Sequence, residues 1–125
     1  MTIQQVLDSI DECKPNAFSM QQKIAWISET EHQVVEEILK RHEGWPEGLE
    51  FEGYNDETPM DTVMLVPDAY AEIYHHALAR KMDSKNGELD KYQNNTILFN
   101  AMYQAFSDYW TRTHMPKSKG MQIIF

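Results

Sequence analysis

The stretch SMQQKIAWISETEHQVVEEILKRHE, residues 19–43, decides the fold. Ile24, Ile27, Val34, Val35, Ile38 and Leu39 recur at three- and four-residue spacing, which is the signature of one apolar stripe along an α-helix. Ser19 with Gln22 has the form of a capping box at its start, and Gly44 supplies a stop. The spacing therefore predicts a long helix over 19–43 whose stripe must be covered by other elements.

Working outward, TIQQVLDSIDEC carries Ile3, Val6, Leu7, Ile10 and Cys13 on one face and predicts a helix over 2–13, with Thr2 and Gln5 as a second capping box. Lys14-Pro15-Asn16 breaks it, because proline disfavours helical geometry in the residue before it and has no N–H to donate. On the other side, Pro67 and Asp68 open a helix over 68–86 with Tyr70, Ile73, Tyr74, Ala77, Leu78 and Met82 as its stripe, and Asn86-Gly87 closes it. A last helix is predicted over 88–113, where Tyr92, Phe99, Met102, Tyr103, Phe106, Tyr109 and Trp110 share one broad face.

Residues 44–66 hold Gly44, Pro46, Gly48, Gly53 and Pro59, with alternation in LEFEGY and a β-branched, apolar run in TVMLV. They read as a loop, a short β-hairpin or a functional projection. Beyond Pro116, residues 117–125 form an extended tail, a polar KSKG joint followed by MQIIF. The expectation is a single all-α domain, a bundle of about four helices with a central loop or short β-hairpin.

With 11 Lys and Arg against 20 Asp and Glu, the formal charge is -9. A surface of that sign repels phosphate, which disfavours a sequence-independent nucleic-acid binder and an anionic membrane alike. The start lacks a basic run followed by an apolar core, and no run of about 18 apolar residues occurs, so a soluble, unexported protein is expected. The single Cys13 excludes an internal disulfide and a CxxC metal site.

Two ExxH motifs, Glu29 with His32 and Glu72 with His75, have the spacing that di-iron carboxylate bundles use twice. Their phase argues against it. At about 100° per residue, Glu29 lies about 160° and His32 about 100° from the centre of the stripe, and Glu72 faces nearly opposite its own. Surface charge is the favoured reading, and no metal or cofactor is expected. Glu31 differs, because it sits at the centre of the apolar face, where an unpaired charge costs several kcal/mol. Lys81, at the centre of the next helix's stripe, and tyrosines 70, 74 and 92 are candidate partners, giving Glu31 and Lys81 as expected buried polar residues. No Ser/His/Asp or Cys/His set and no phosphate loop can be assembled, so no catalytic residue is expected. His75 and His76 could sense pH or bind metal, with a solvated face preferred.

The blocks KPNAFSMQQKIAWISETE, VPDAYAEIYHH, NGELDKYQNN and FNAMYQAFSDYWTRTHMP together resemble the head-tail connector, or adaptor, proteins of tailed phages and prophages. The likeness runs through Lys14, Pro15, Asn16, Ser19, Lys23, Trp26 and Glu31, then Pro67, Tyr70 and Tyr74. It continues through Gly87, Glu88, Tyr92, Asn94, Phe99, Asn100, Tyr103, Phe106, Tyr109 and Arg112, and is weakest over 44–66.

The resemblance implies a non-enzymatic helical subunit that forms a ring with itself beneath the portal and meets portal and tail-completion proteins. It also implies assembly in the bacterial cytoplasm, residence in the virion, and DNA passing through without specific binding or membrane contact. Eight Met and 11% aromatics exceed what a few helices hide, so the outer aromatics, Trp110 above all, are expected at an interface. The tail residues Met121, Ile123, Ile124 and Phe125 either fold back or dock on a neighbour, as a strand on its edge. Two other readings use the same residues: a ferritin-like di-metal protein built on the ExxH pairs, and a small regulatory helical protein acting through partner contacts.

Overall fold

The computed structural model describes residues 1–117, and the protein is all-α. The described residues form four helices, α1 (Ile3–Cys13), α2 (Met20–Glu37), α3 (Glu72–Lys85) and α4 (Leu89–Thr113), with 3-10 turns at Leu39–Arg41 and Asp68–Tyr70 in the connection between α2 and α3. Among the described residues no strand forms, so residues 44–66 are a loop and not a hairpin; only the isolated bridges Thr2–Val63 and His42–Pro116 have β character.

The caps follow the sequence. Thr2 Oγ1 accepts from the Gln5 amide at 3.2 Å while Gln5 Oε1 accepts from the Thr2 amide at 2.9 Å, a complete capping box. Ser19 Oγ accepts from the Gln22 amide at 3.1 Å, a one-sided cap. Gly87 takes φ +72°, the left-handed geometry that ends α3 after Asn86.

One boundary moves. Helix α2 stops at Glu37, well short of the glycine that signals its end, and tightens into the 3-10 turn. The His42 ring supplies the reason: its Nδ1 donates to the Ile38 carbonyl at 2.7 Å, satisfying a group that another helical turn would have occupied. Ile38 and Leu39 both stay buried across the change.

Helix α3 is the central element. It packs along α4 and also against α1 and α2, and buries Ile73, Tyr74, Leu78, Ala79, Met82 and Asp83 around much of its circumference. Phe99 and Phe106 of α4 close the core from the other side, each buried ring contributing roughly 1.5–3 kcal/mol. Tyr103, Tyr109 and Trp110 are only partly buried against it. No helix of the described residues is long and apolar enough to cross a membrane.

Candidate functional site

The buried carboxylate of Glu31 organises the loop. Its helical phase carries it among Ile24, Ile27, Val34 and Val35, where it is fully buried and the protein must replace its water. Three donors do so. The Tyr74 hydroxyl donates to Oε1 at 2.6 Å, and the Tyr54 hydroxyl and Leu65 amide donate to Oε2 at 3.0 and 2.9 Å. The Tyr74 hydroxyl in turn accepts from the Val66 amide at 3.0 Å.

All these donors are neutral, so burial dominates and pushes the Glu31 carboxyl above its ordinary value against the pull of the three hydrogen bonds. Burial and the adjacent Glu31 charge raise both phenols, which keeps them protonated as donors. The arrangement ties Tyr54, Leu65 and Val66 of the loop to α2 and α3.

Other contacts fix the rest of the loop. Gly53 takes φ +89°, and a Cβ there would lie 2.8 Å from Ser28 Oγ, the atom that accepts from the Tyr54 amide at 2.9 Å. Phe51 meets His32 and Tyr54 edge-on, with centroids 4.8 and 5.1 Å apart. The carbonyls of Met60 and Thr62 accept from the amides of Gln4 and Ile3 at 3.0 and 3.1 Å. The surface this loop presents is acidic: Glu43, Glu47, Glu50, Glu52, Asp56, Glu57 and Asp61 follow one another without a Lys or Arg. Among the described residues the cations that reach it come from outside, Lys40 at Glu50 (2.6 Å) and Lys117 at Glu47 (3.2 Å).

Lys81 is not the buried partner of Glu31. Its side chain is 37% exposed and pairs at 3.2 Å with Glu29, itself 63% exposed. A long side chain near the end of α3 reaches water at no desolvation cost, and Glu31 is already satisfied by neutral donors. The ExxH residues do not converge either: His32 is exposed beside Phe51, while His75 lies near Met1, Ser9 and Glu72. Burial and then the adjacent His76 lower the His75 pKa. Among the described residues no three His, Cys, Asp or Glu side chains are grouped to hold a metal ion.

A second buried acid, Asp83, is unsignalled by the spacing. Lys14 Nζ lies 2.6 Å from Oδ1, off the direction of a well-formed hydrogen bond, and Asn95 Nδ2 donates to Oδ2 at 2.8 Å. Asn95 Oδ1 lies 3.2 Å from His76 Nδ1, so one aspartate links the end of α1 to α3 and α4. Asn95 thus supplies a structural hydrogen bond from α4.

The tail residues Met121, Ile123, Ile124 and Phe125 lie outside the described residues. Their root is well held: the Glu43 amide donates to the Met115 carbonyl at 2.8 Å and the Lys117 amide to the Arg41 carbonyl at 3.1 Å. Trp110 is partly taken up within the chain, stacked on His114 with centroids 3.6 Å apart, and its buried indole N–H has no hydrogen-bond partner among the described residues. No family model, curated protein or solved structure matches the chain.

Proposed function

We propose that the chain is a non-enzymatic head-tail connector subunit of a tailed phage or prophage, assembling with itself into a ring beneath the portal. One observation carries this reading: several of the positions through which the chain resembles that family tie its helices together. Lys14 pairs with Asp83, Ser19 caps α2, Tyr74 binds Glu31, and Phe99 and Phe106 fill the core. These are positions on which the fold of this chain depends, while Asn94, Asn100 and Arg112 of the same set are exposed.

Two further features support it. The loop over 43–61 is an acidic surface of the kind that lets DNA slide past without sticking. The clamped root at residues 115–117 delivers the MQIIF tail from a defined point on the domain, suited to capture by a neighbouring subunit or the portal. The virion is then its location, and portal and tail-completion proteins are its partners.

The test is to sequence the genes beside this one and, where they encode portal and capsid proteins, to co-express those with the full chain and with one lacking residues 120–125. The full chain should co-purify in a portal-containing assembly, and the shortened chain should fold but assemble at least ~10-fold more weakly. Absence of portal and capsid genes beside this one, or no association of the full chain, would reject the connector reading. Failure of the shortened chain to fold would place the tail in the core and reject docking.

A further inference from the structure

Helix α4 carries a second stripe, opposite Phe99 and Phe106. Asp90, Asn94, Ile97, Ala101, Ala105, Asp108 and Arg112 are all exposed, lie within about 80° of one another, and have Leu98 on their flank. Ile97 is 66% and Leu98 41% exposed, in the middle of a helix where polar residues would cost nothing. The two alanines beside them let another backbone approach closely.

The charges at the ends of this stripe say what covers it. Asp90 lies eleven residues before Ala101 and Arg112 eleven after, and among the described residues neither is in an ion pair. When a second α4 lies antiparallel to the first about a two-fold axis at Ala101, each Asp90 faces an Arg112, each Asn94 faces an Asp108 that its amide can donate to, and each Ile97 faces the small Ala105. A parallel pair would oppose Asp90 to Asp90 and Arg112 to Arg112, so the charge pattern selects the antiparallel arrangement.

We infer that α4 is a homodimer interface, on which a second copy of this chain docks antiparallel through Ile97, Ala101 and Ala105, with reciprocal Asp90–Arg112 pairs at either end. Such a contact is isologous: the same patch serves both subunits and closes on itself. It does not rest on the connector reading, because it pairs free subunits whatever they later join. The apolar patch is small, so the dimer should be weak, with Kd on the order of 10 µM, and weaker still in high salt, which screens its exposed charges.

Sedimentation velocity on the full chain tests this with Asp90→Arg, Arg112→Glu and the two combined. Both positions are on the surface, and circular dichroism checks that each variant is folded. The wild type should pass from monomer to dimer with concentration. Each single reversal should weaken association by about tenfold, and the double reversal should return it to within about threefold of wild type. An equimolar mixture of the two single variants should also recover dimers, since a stripe basic at both ends on one chain then faces a stripe acidic at both ends on the other.

A wild-type monomer at about 0.1 mM, or a double reversal no tighter than the singles, would overturn the inference. Two chains, Cys13→Ser with Ile97→Cys and Cys13→Ser with Ala105→Cys, supply an independent reading. Mild oxidation of their equimolar mixture should give the mixed covalent dimer, and covalent dimers of each chain with itself, or none, would count against the antiparallel register.

Discussion

The Tyr74 hydroxyl donates to Glu31 at 2.6 Å while accepting from the Val66 amide at 3.0 Å, so a single oxygen couples α3, α2 and the end of the loop. Tyr74→Phe removes a donor and an acceptor together from a buried site and should cost about 3 kcal/mol in urea denaturation. Tyr54→Phe, at a half-buried ring, should cost about 1 kcal/mol. If both changes are within about 0.5 kcal/mol of wild type, the network does not hold the loop.

Glu31 should leave a pH signature of defined sign. Its folded pKa is raised, so its contribution is fully present below the unfolded value near 4.5 and is lost as pH rises through the higher folded value. Glu31→Gln does not titrate. The stability advantage of wild type over Glu31→Gln should therefore widen as pH falls from neutrality toward 4.5. A gap that narrows over the same range means that the three hydrogen bonds outweigh burial.

Lys14 and Asp83 should behave as a coupled pair. Lys14→Met strands a fully buried carboxylate with Asn95 as its remaining partner and should cost about 3 kcal/mol. Adding Asp83→Asn removes the stranded charge, so the double variant should be the more stable of the two. A double variant less stable than Lys14→Met would mean that the ion pair is not what Asp83 requires.

Gly53 and Gly48 separate strain from crowding. Both adopt positive φ, at +89° and +77°, but a Cβ at Gly48 meets nothing within 4 Å whereas one at Gly53 strikes Ser28 Oγ at 2.8 Å. Gly48→Ala should cost about 1 kcal/mol from backbone strain alone. Gly53→Ala should cost more and also loosen the loop, visible as faster amide exchange at Tyr54. Equal costs would show that the loop does not depend on that close approach.

The helices are legible in the sequence because each buries a stripe at helical spacing, and Glu31 is legible because its phase sets it inside one. Its partner Tyr74 stands among the candidates by the same logic. Tyr54 does not, since its reach to Glu31 depends on the path of a loop that tertiary contacts set and no periodicity encodes. Lys81 is misplaced by the pattern because its long side chain escapes from the stripe to Glu29 and water. Asp83 is passed over because a single stripe on α3 presumes one covered face, whereas α3 packs against α1, α2 and α4. The early end of α2 is hidden because the capping group, His42, lies beyond the helix and leaves no pattern of its own.

The connector reading is tested most directly by electron micrographs of phage particles made with and without this gene. The account predicts that particles lacking it accumulate as separate heads and tails, and that supplying the full chain restores joined particles. Complete tailed particles assembling in its absence would contradict it.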